Sequence, residues 1–280
     1  ASAADGVGLF RTELLYLSAK TQPTKQAQVA SYTEILKAAP GGPIVVRTID
    51  AGSDKPVPFL DMGDEENPAL GVRGYRLIEN HRDFIIDQLE SLEVAREQSG
   101  REVWVMAPMV STYSEAIEFA ELARKAGNFK VGIMVETPSI VYQIAQLAGV
   151  LDFISVGTND LSQYLFAADR MNPALGALLN PWQPALLRAL EQIATVSQKA
   201  GVSSGVCGES ASDPAFAVVL AGMGFQSVSS SRSQVGIVRQ ALSSVTKEQA
   251  KEVFEAALTG LDADQAKSAA LAALATISAK

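Results

Sequence analysis

The stretch KVGIMVETPSI (Lys130–Ile140) decides how this chain folds. KVGIMV is a short apolar run of the kind that forms a buried strand. Thr137 and Pro138 then read as an N-cap residue followed by a proline in the first helical position, where the missing amide hydrogen is not needed. These few residues therefore spell strand, polar turn and helix start. The turn carries a carboxylate, Glu136.

The same order recurs along the chain. Further apolar runs are GVGLF (6–10), PIVV (43–46), EVWVMAP (102–108), DFISV (152–156), GVSSGV (201–206) and FQSV (225–228). Amphipathic stretches with start and stop signals lie between them. Thr112 with Glu115 predicts a capping box for SEAIEFAELARKAG, which stops at Gly127. Asp213-Pro214 predicts another helix start, and LLRALEQIATVSQKAG (186–201) has helical spacing and a glycine stop. Strand and helix in alternation predict a parallel sheet.

The residues at the strand ends narrow the fold further. Six of the seven runs lead into polar residues: RTE, RTID, ETPS, GTND, CGES and SSSRS. A β/α barrel builds its active site at the carboxyl ends of its strands. A doubly wound sheet places ligands mainly at its switch point instead. The fold expected is α/β, a (β/α)8 TIM-type barrel. Seven runs are counted rather than eight, and the opening SAAD reads as a helix end, so the expected barrel lacks its first strand in this chain. The barrel is expected over residues 1–242, with a helical extension over 243–280. There Thr246 with Gln249 and Asp262 with Gln265 read as capping boxes of two Ala-rich helices that pack on the barrel or serve a partner.

Composition sets outer bounds. Hydrophobic residues make up 48% of the 280 residues, enough for a sizeable core. The net charge of −8 argues against nonspecific nucleic-acid binding, which needs a basic footprint. It leaves room for a small anionic substrate held by local arginines. A single cysteine allows no internal disulfide and suits a reducing compartment. There is no secretory signal pattern and no apolar run near the ~18 residues that span a bilayer. A cytoplasmic protein without membrane contact is expected.

One rim of such a barrel would collect Arg11, Arg47 and Arg170, the carboxylates Glu136 and Asp160, Asn159, and the Cys207 thiol in GVCGES. The planar arginine fork suits carboxylate and phosphate. Two carboxylates suit Mg²⁺, which completes its shell with water and substrate oxygens. One His and one Cys do not make a zinc site. The set points to a small phosphorylated acid chelated through Mg²⁺. Plainer readings stand beside it. Each arginine can be a surface ion-pair partner, Glu136 and Asp160 can pair with Arg11 and Arg47 structurally, GTND can be a helix-capping turn, and a lone cysteine is usually a core filler. His81 sits in a charged helical stretch and receives no role.

Seven motifs carry a family resemblance: GVGLFRTELLYL (6–17), RTIDAGSDKP (47–56), ENPALGVRGYRL (66–77), APMVST (107–112), GIMVETPS (132–139), SVGTNDLSQYLFAADR (155–170) and VCGESASDP (206–214). Together they closely resemble the C-terminal, phosphoenolpyruvate-binding barrel of enzyme I of the bacterial phosphoenolpyruvate:sugar phosphotransferase system. The resemblance covers about residues 5–242 in family order. It implies transfer of the phosphoryl group of phosphoenolpyruvate to a histidine, release of pyruvate, and onward transfer to the carrier HPr in sugar uptake. By motif position, Arg11, Arg47 and Arg170 would hold the substrate's phosphate and carboxylate, with Lys55 and Arg73 as further basic positions. Glu136 and Asp160 would ligate Mg²⁺, Asn159 and Asp160 would lie at the substrate, and Cys207 corresponds to the proton donor. The phosphohistidine and HPr-binding regions have no counterpart in these residues, so the resemblance implies a chain that binds phosphoenolpyruvate but needs a partner for turnover. It also implies a homodimer. Two alternatives remain open: a dikinase-type or 2-oxo-acid lyase barrel of the same superfamily, and a non-catalytic phosphoenolpyruvate-binding module.

Overall fold

The structure is a computed structural model, and it describes residues 4–17, 19–52, 57–60 and 63–279. These fall into two compact units. One comprises Ala4–Met134 with Gly149–Phe153, the other 135–148 with 154–279.

The first unit holds strands β1 (Val7–Arg11), β2 (Ile44–Arg47), β3 (Val103–Ala107) and most of β4 (Lys130–Val135), with helices α1 (Lys25–Ala38), α2 (Ile78–Ser99) and α3 (Tyr113–Ala126). The strands pair in chain order, all parallel, with Arg11 opposite Arg47 and Arg47 opposite Met106. All four residues of β2 are buried, as are all but the first of β4. Burial on both faces is why these strands read as continuous apolar runs rather than as alternations. Helix α1 packs on α2, and α2 on α3.

The second unit holds α4 (Pro138–Val141), most of β5 (Phe153–Gly157), α5 (Thr158–Leu165), α6 (Pro184–Ala200), β6 (Ser203–Cys207), α7 (Pro214–Met223), β7 (Ser227–Val228), α8 (Val235–Ser243), α9 (Lys247–Ala257) and α10 (Ala263–Ser278). Here too β5, β6 and β7 are neighbours in chain order, and β6 and β7 run parallel. Strand–helix alternation with sequential strand order is the topology of a β/α barrel, with seven strands among the described residues.

Most helix starts form as the sequence predicts. The Thr112 hydroxyl accepts from the Glu115 amide at 3.2 Å while the Glu115 carboxylate accepts from the Thr112 amide at 2.8 Å. Thr246 and Gln249 repeat this exchange, and Asp213 accepts from Ala215 and Phe216. Asp262 differs: it accepts from the Gln265 amide, but the Gln265 side chain reaches back to Leu261 instead of closing the box. Thr137 holds the N-cap position without capping through its side chain, and α4 ends within four residues.

Helix α7 is the centre of the second unit. Phe216, Ala217, Val218, Val219, Leu220 and Met223 are all buried, so it is apolar on every side. Helices α8, α9 and α10 all pack on it, as does α6. Gly222 lets α9 approach closely, since a β-carbon there would meet the Ala250 carbonyl oxygen at 2.1 Å.

Candidate active site

In the first unit, β1 and β2 end side by side on arginines. Arg11 is exposed. Arg47 is 3% exposed, and its charge is met on both sides. Its Nη2 lies 2.6 Å from Glu13 Oε1 and its Nη1 3.0 Å from Asp50 Oδ2. The Arg47 Nη1 also reaches Met134 Sδ at 3.6 Å. Asp50 in turn pairs with Arg73, itself buried, at 3.3 Å. Glu13, Arg47, Asp50 and Arg73 thus form a buried chain of alternating charge. Each guanidinium is turned and held by a carboxylate, which fixes its fork before any ligand arrives. A buried charge without such a partner would be strongly unfavourable.

Uncharged groups tie this array to α2. Thr12 Oγ1 donates to the Arg47 carbonyl at 2.9 Å. Gln88, fully buried on α2, accepts from the Ile49 amide at 2.9 Å and donates to Thr12 Oγ1 at 3.2 Å and to Tyr32 OH at 3.0 Å. Tyr16 OH bonds both Tyr32 OH and Gln28. Burial pushes the Tyr16 and Tyr32 hydroxyls above their ordinary pKa, only partly offset by the hydrogen bond each receives from Gln88.

In the second unit, Glu136 directly follows β4 and is fully buried. Asp160 lies in the first turn of α5 and is 6% exposed. Arg170 Nη1 stands 3.5 Å from Asp160 Oδ2, and the Arg170 amide donates to Gln163 Oε1 at 2.9 Å. Asn159 Oδ1 accepts from the Glu209 amide at 3.4 Å. Cys207 ends β6 and is buried. Its Sγ accepts from Ser155 Oγ and donates to the Val156 carbonyl, both at 3.4 Å. Thr158 Oγ1 bonds the Cys207 carbonyl at 3.1 Å and Ser210 Oγ at 2.7 Å. The end of β6 and the turn after it are therefore fastened to the first residue of α5.

This unit brings Asn159, Asp160, Arg170 and Cys207 together at two adjacent strand ends. The first unit joins Arg47 to Arg73 through Asp50 and places Arg11 beside Arg47. Lys55 lies outside the described residues. Sequence reasoning missed Glu13 and Asp50 as the carboxylates that hold Arg47. The signal was present: both RTE and RTID set an acid two or three residues after an arginine at a strand end. It also missed Gln88 and Ser155, for which no local pattern speaks.

The chemistry of Glu136 and Asp160 is compatible with Mg²⁺. Both are buried oxygen donors, one directly after β4 and the other in the first turn of α5, and Mg²⁺ accepts such donors with water and substrate completing the shell. Among the described residues no group of three or more His, Cys, Asp or Glu is arranged to hold a metal ion.

Residues 1–247 match the family described as PEP-utilising enzyme, PEP-binding domain. The chain belongs to this family. It is 44% identical over 275 residues to the phosphoenolpyruvate-protein phosphotransferase of Streptomyces coelicolor, covering 98% of this chain and 50% of that protein. A phosphoenolpyruvate-protein phosphotransferase of Haloferax volcanii is 38% identical over 270 residues, covering 91% of this chain and 47% of that protein. Multiphosphoryl transfer protein 1 of Escherichia coli is 36% identical over 265 residues, covering 90% and 32%. The chain thus spans half or less of the length of these relatives. No described helix is long and apolar enough to cross a membrane.

Proposed function

We propose that this chain is the phosphoenolpyruvate-binding part of a phosphoenolpyruvate–protein phosphotransferase. The observation that carries the reading is Cys207, which stands at the end of β6 and is fastened through its carbonyl to Thr158, the first residue of the helix that bears Asn159 and Asp160. We read the thiol, at a strand end in the same unit as the Arg170–Asp160 pair, as an acid rather than a core filler.

In the proposed reaction, Arg11, Arg47 and Arg170 hold the phosphate and carboxylate of phosphoenolpyruvate. Arg73 and Lys55 add positive charge. Asn159 orients the substrate. The P–O bond breaks and the phosphoryl group passes to a histidine outside this chain, leaving the enolate of pyruvate. Cys207 gives its proton to the methylene carbon, and pyruvate leaves. Glu136 and Asp160 would hold Mg²⁺, which when bound offsets charge on the phosphoryl and enolate oxygens. In the whole protein the phosphoryl group would pass on to a carrier such as HPr, in a cytoplasmic homodimer.

The test is calorimetric titration of the 280-residue chain with phosphoenolpyruvate. Binding is expected with Mg²⁺ and is expected to be lost with EDTA or in Glu136→Gln. Equal binding in all three overturns the metal assignment, and no binding in any overturns the substrate. Adding the portion of the Streptomyces coelicolor relative that this chain does not cover should then restore pyruvate release.

A further inference from the structure

We propose that Ser155 is the positioning residue of the Cys207 thiol. Its hydroxyl fixes the sulfur before reaction and stabilises it once the proton has left. The inference rests on the reading of Cys207 as the acid, and it concerns a residue that touches neither the substrate nor the metal in that reading.

Ser155 is out of keeping with its strand. Its neighbours in β5, Ile154 and Val156, are apolar and buried, and Ser155 is only 6% exposed. A hydroxyl there gives up water and must find a partner. The partner is Cys207 Sγ at 3.4 Å. The sulfur of a neutral thiol is a weak acceptor. A valine would fill the position with no hydroxyl to satisfy. The choice of serine makes physical sense if the sulfur becomes an anion, because hydrogen bonds to charged acceptors are about twice as strong. The thiol hydrogen meanwhile donates to the Val156 carbonyl, so two consecutive residues of β5 hold the sulfur from two directions.

The step balances without a further reagent. The S–H bond breaks and its electron pair stays on sulfur. The proton joins the methylene carbon of the enolate, whose C=C pair becomes the new C–H bond. The thiolate that remains keeps the Ser155 hydroxyl as a donor.

Cys207 is the only cysteine, so the S–H stretching band of this protein has a single origin. The experiment compares the unaltered chain with Ser155→Ala and Ser155→Thr. It records that band by infrared spectroscopy and the rate of pyruvate release with the portion of the Streptomyces coelicolor relative that this chain does not cover supplied. In Ser155→Ala the band should move and kcat should fall about tenfold, with KM for phosphoenolpyruvate within about twofold of its original value. Ser155→Thr, which keeps the hydroxyl, should recover most of both. A band that stays in place in Ser155→Ala overturns the assignment. So does a loss in which kcat and KM change together and threonine does no better than alanine. Failure of the functional reading shows separately, as an unaltered chain that neither binds phosphoenolpyruvate nor turns over.

Discussion

Gly208 lies so close to Thr158 that a β-carbon on it would stand 2.4 Å from the threonine Oγ1. Its φ of +107° is also one that side chains rarely adopt. Space and conformation therefore both demand glycine directly after Cys207. Gly208→Ala should destabilise the protein by about 1–3 kcal/mol. It should also slow pyruvate release more than it weakens phosphoenolpyruvate binding, since the displaced atoms carry the thiol. Thermal unfolding together with calorimetry checks both parts. An unchanged Tm would show that Thr158 gives way freely.

Asp50 and Arg11 should behave as opposites. Asp50 is buried between Arg47 and Arg73, and Asp50→Asn leaves two buried guanidinium groups short of a charge. Breaking a buried ion pair in this way costs about 3–5 kcal/mol. Arg11 is exposed, so Arg11→Ala should change stability by no more than about 0.5 kcal/mol. Yet it should weaken phosphoenolpyruvate binding. Denaturant unfolding and calorimetry on the two variants separate scaffold from ligand contact, and a stable Asp50→Asn would refute the array's structural role.

Gln88→Leu keeps size while removing every polar contact. The Ile49 amide loses its acceptor, and Thr12 and Tyr32 lose a donor. Leaving a buried amide unsatisfied should cost about 1–3 kcal/mol, read as a lower denaturant midpoint with an unchanged slope.

Local signals in the sequence are readable, and distant pairings are not. KVGIMV is legible because a strand buried on both faces writes its whole length in apolar residues, and β4 occupies those same positions, Lys130–Val135. The capping boxes at Thr112 and Thr246 are legible because their partners are three residues apart. Gln88 serves Thr12 from 76 residues away, and Ser155 serves Cys207 from 52. Such pairings leave no periodicity, since only the folded backbone brings them together. The arginines, carboxylates and thiol at the strand ends could be named in advance. What holds each of them in place could not.

The tyrosine pair gives a pH prediction. Burial raises the pKa of Tyr16 and Tyr32 above the ordinary 10.0, so the fold requires both hydroxyls neutral. In the unfolded chain they ionise near their ordinary value. Their contribution is thus fully present below pH ~10 and declines as pH rises beyond it, by up to about 1.4 kcal/mol per group per pH unit. Tyrosinate absorbance should show these two ionising only as the protein unfolds. Early, reversible ionisation of all six tyrosines would contradict the buried network.

Helix α7 bears on where this chain can be shortened. The family match stops at residue 247, the first residue of α9. A chain cut there would keep every described strand and every site residue named above. It would also strip α9 and α10 from a helix that has no polar side to turn outward. Freshly bared apolar surface of that kind invites aggregation. The border of the family match therefore falls inside the packing of this unit, with α9 and α10 beyond it as a cover over α7.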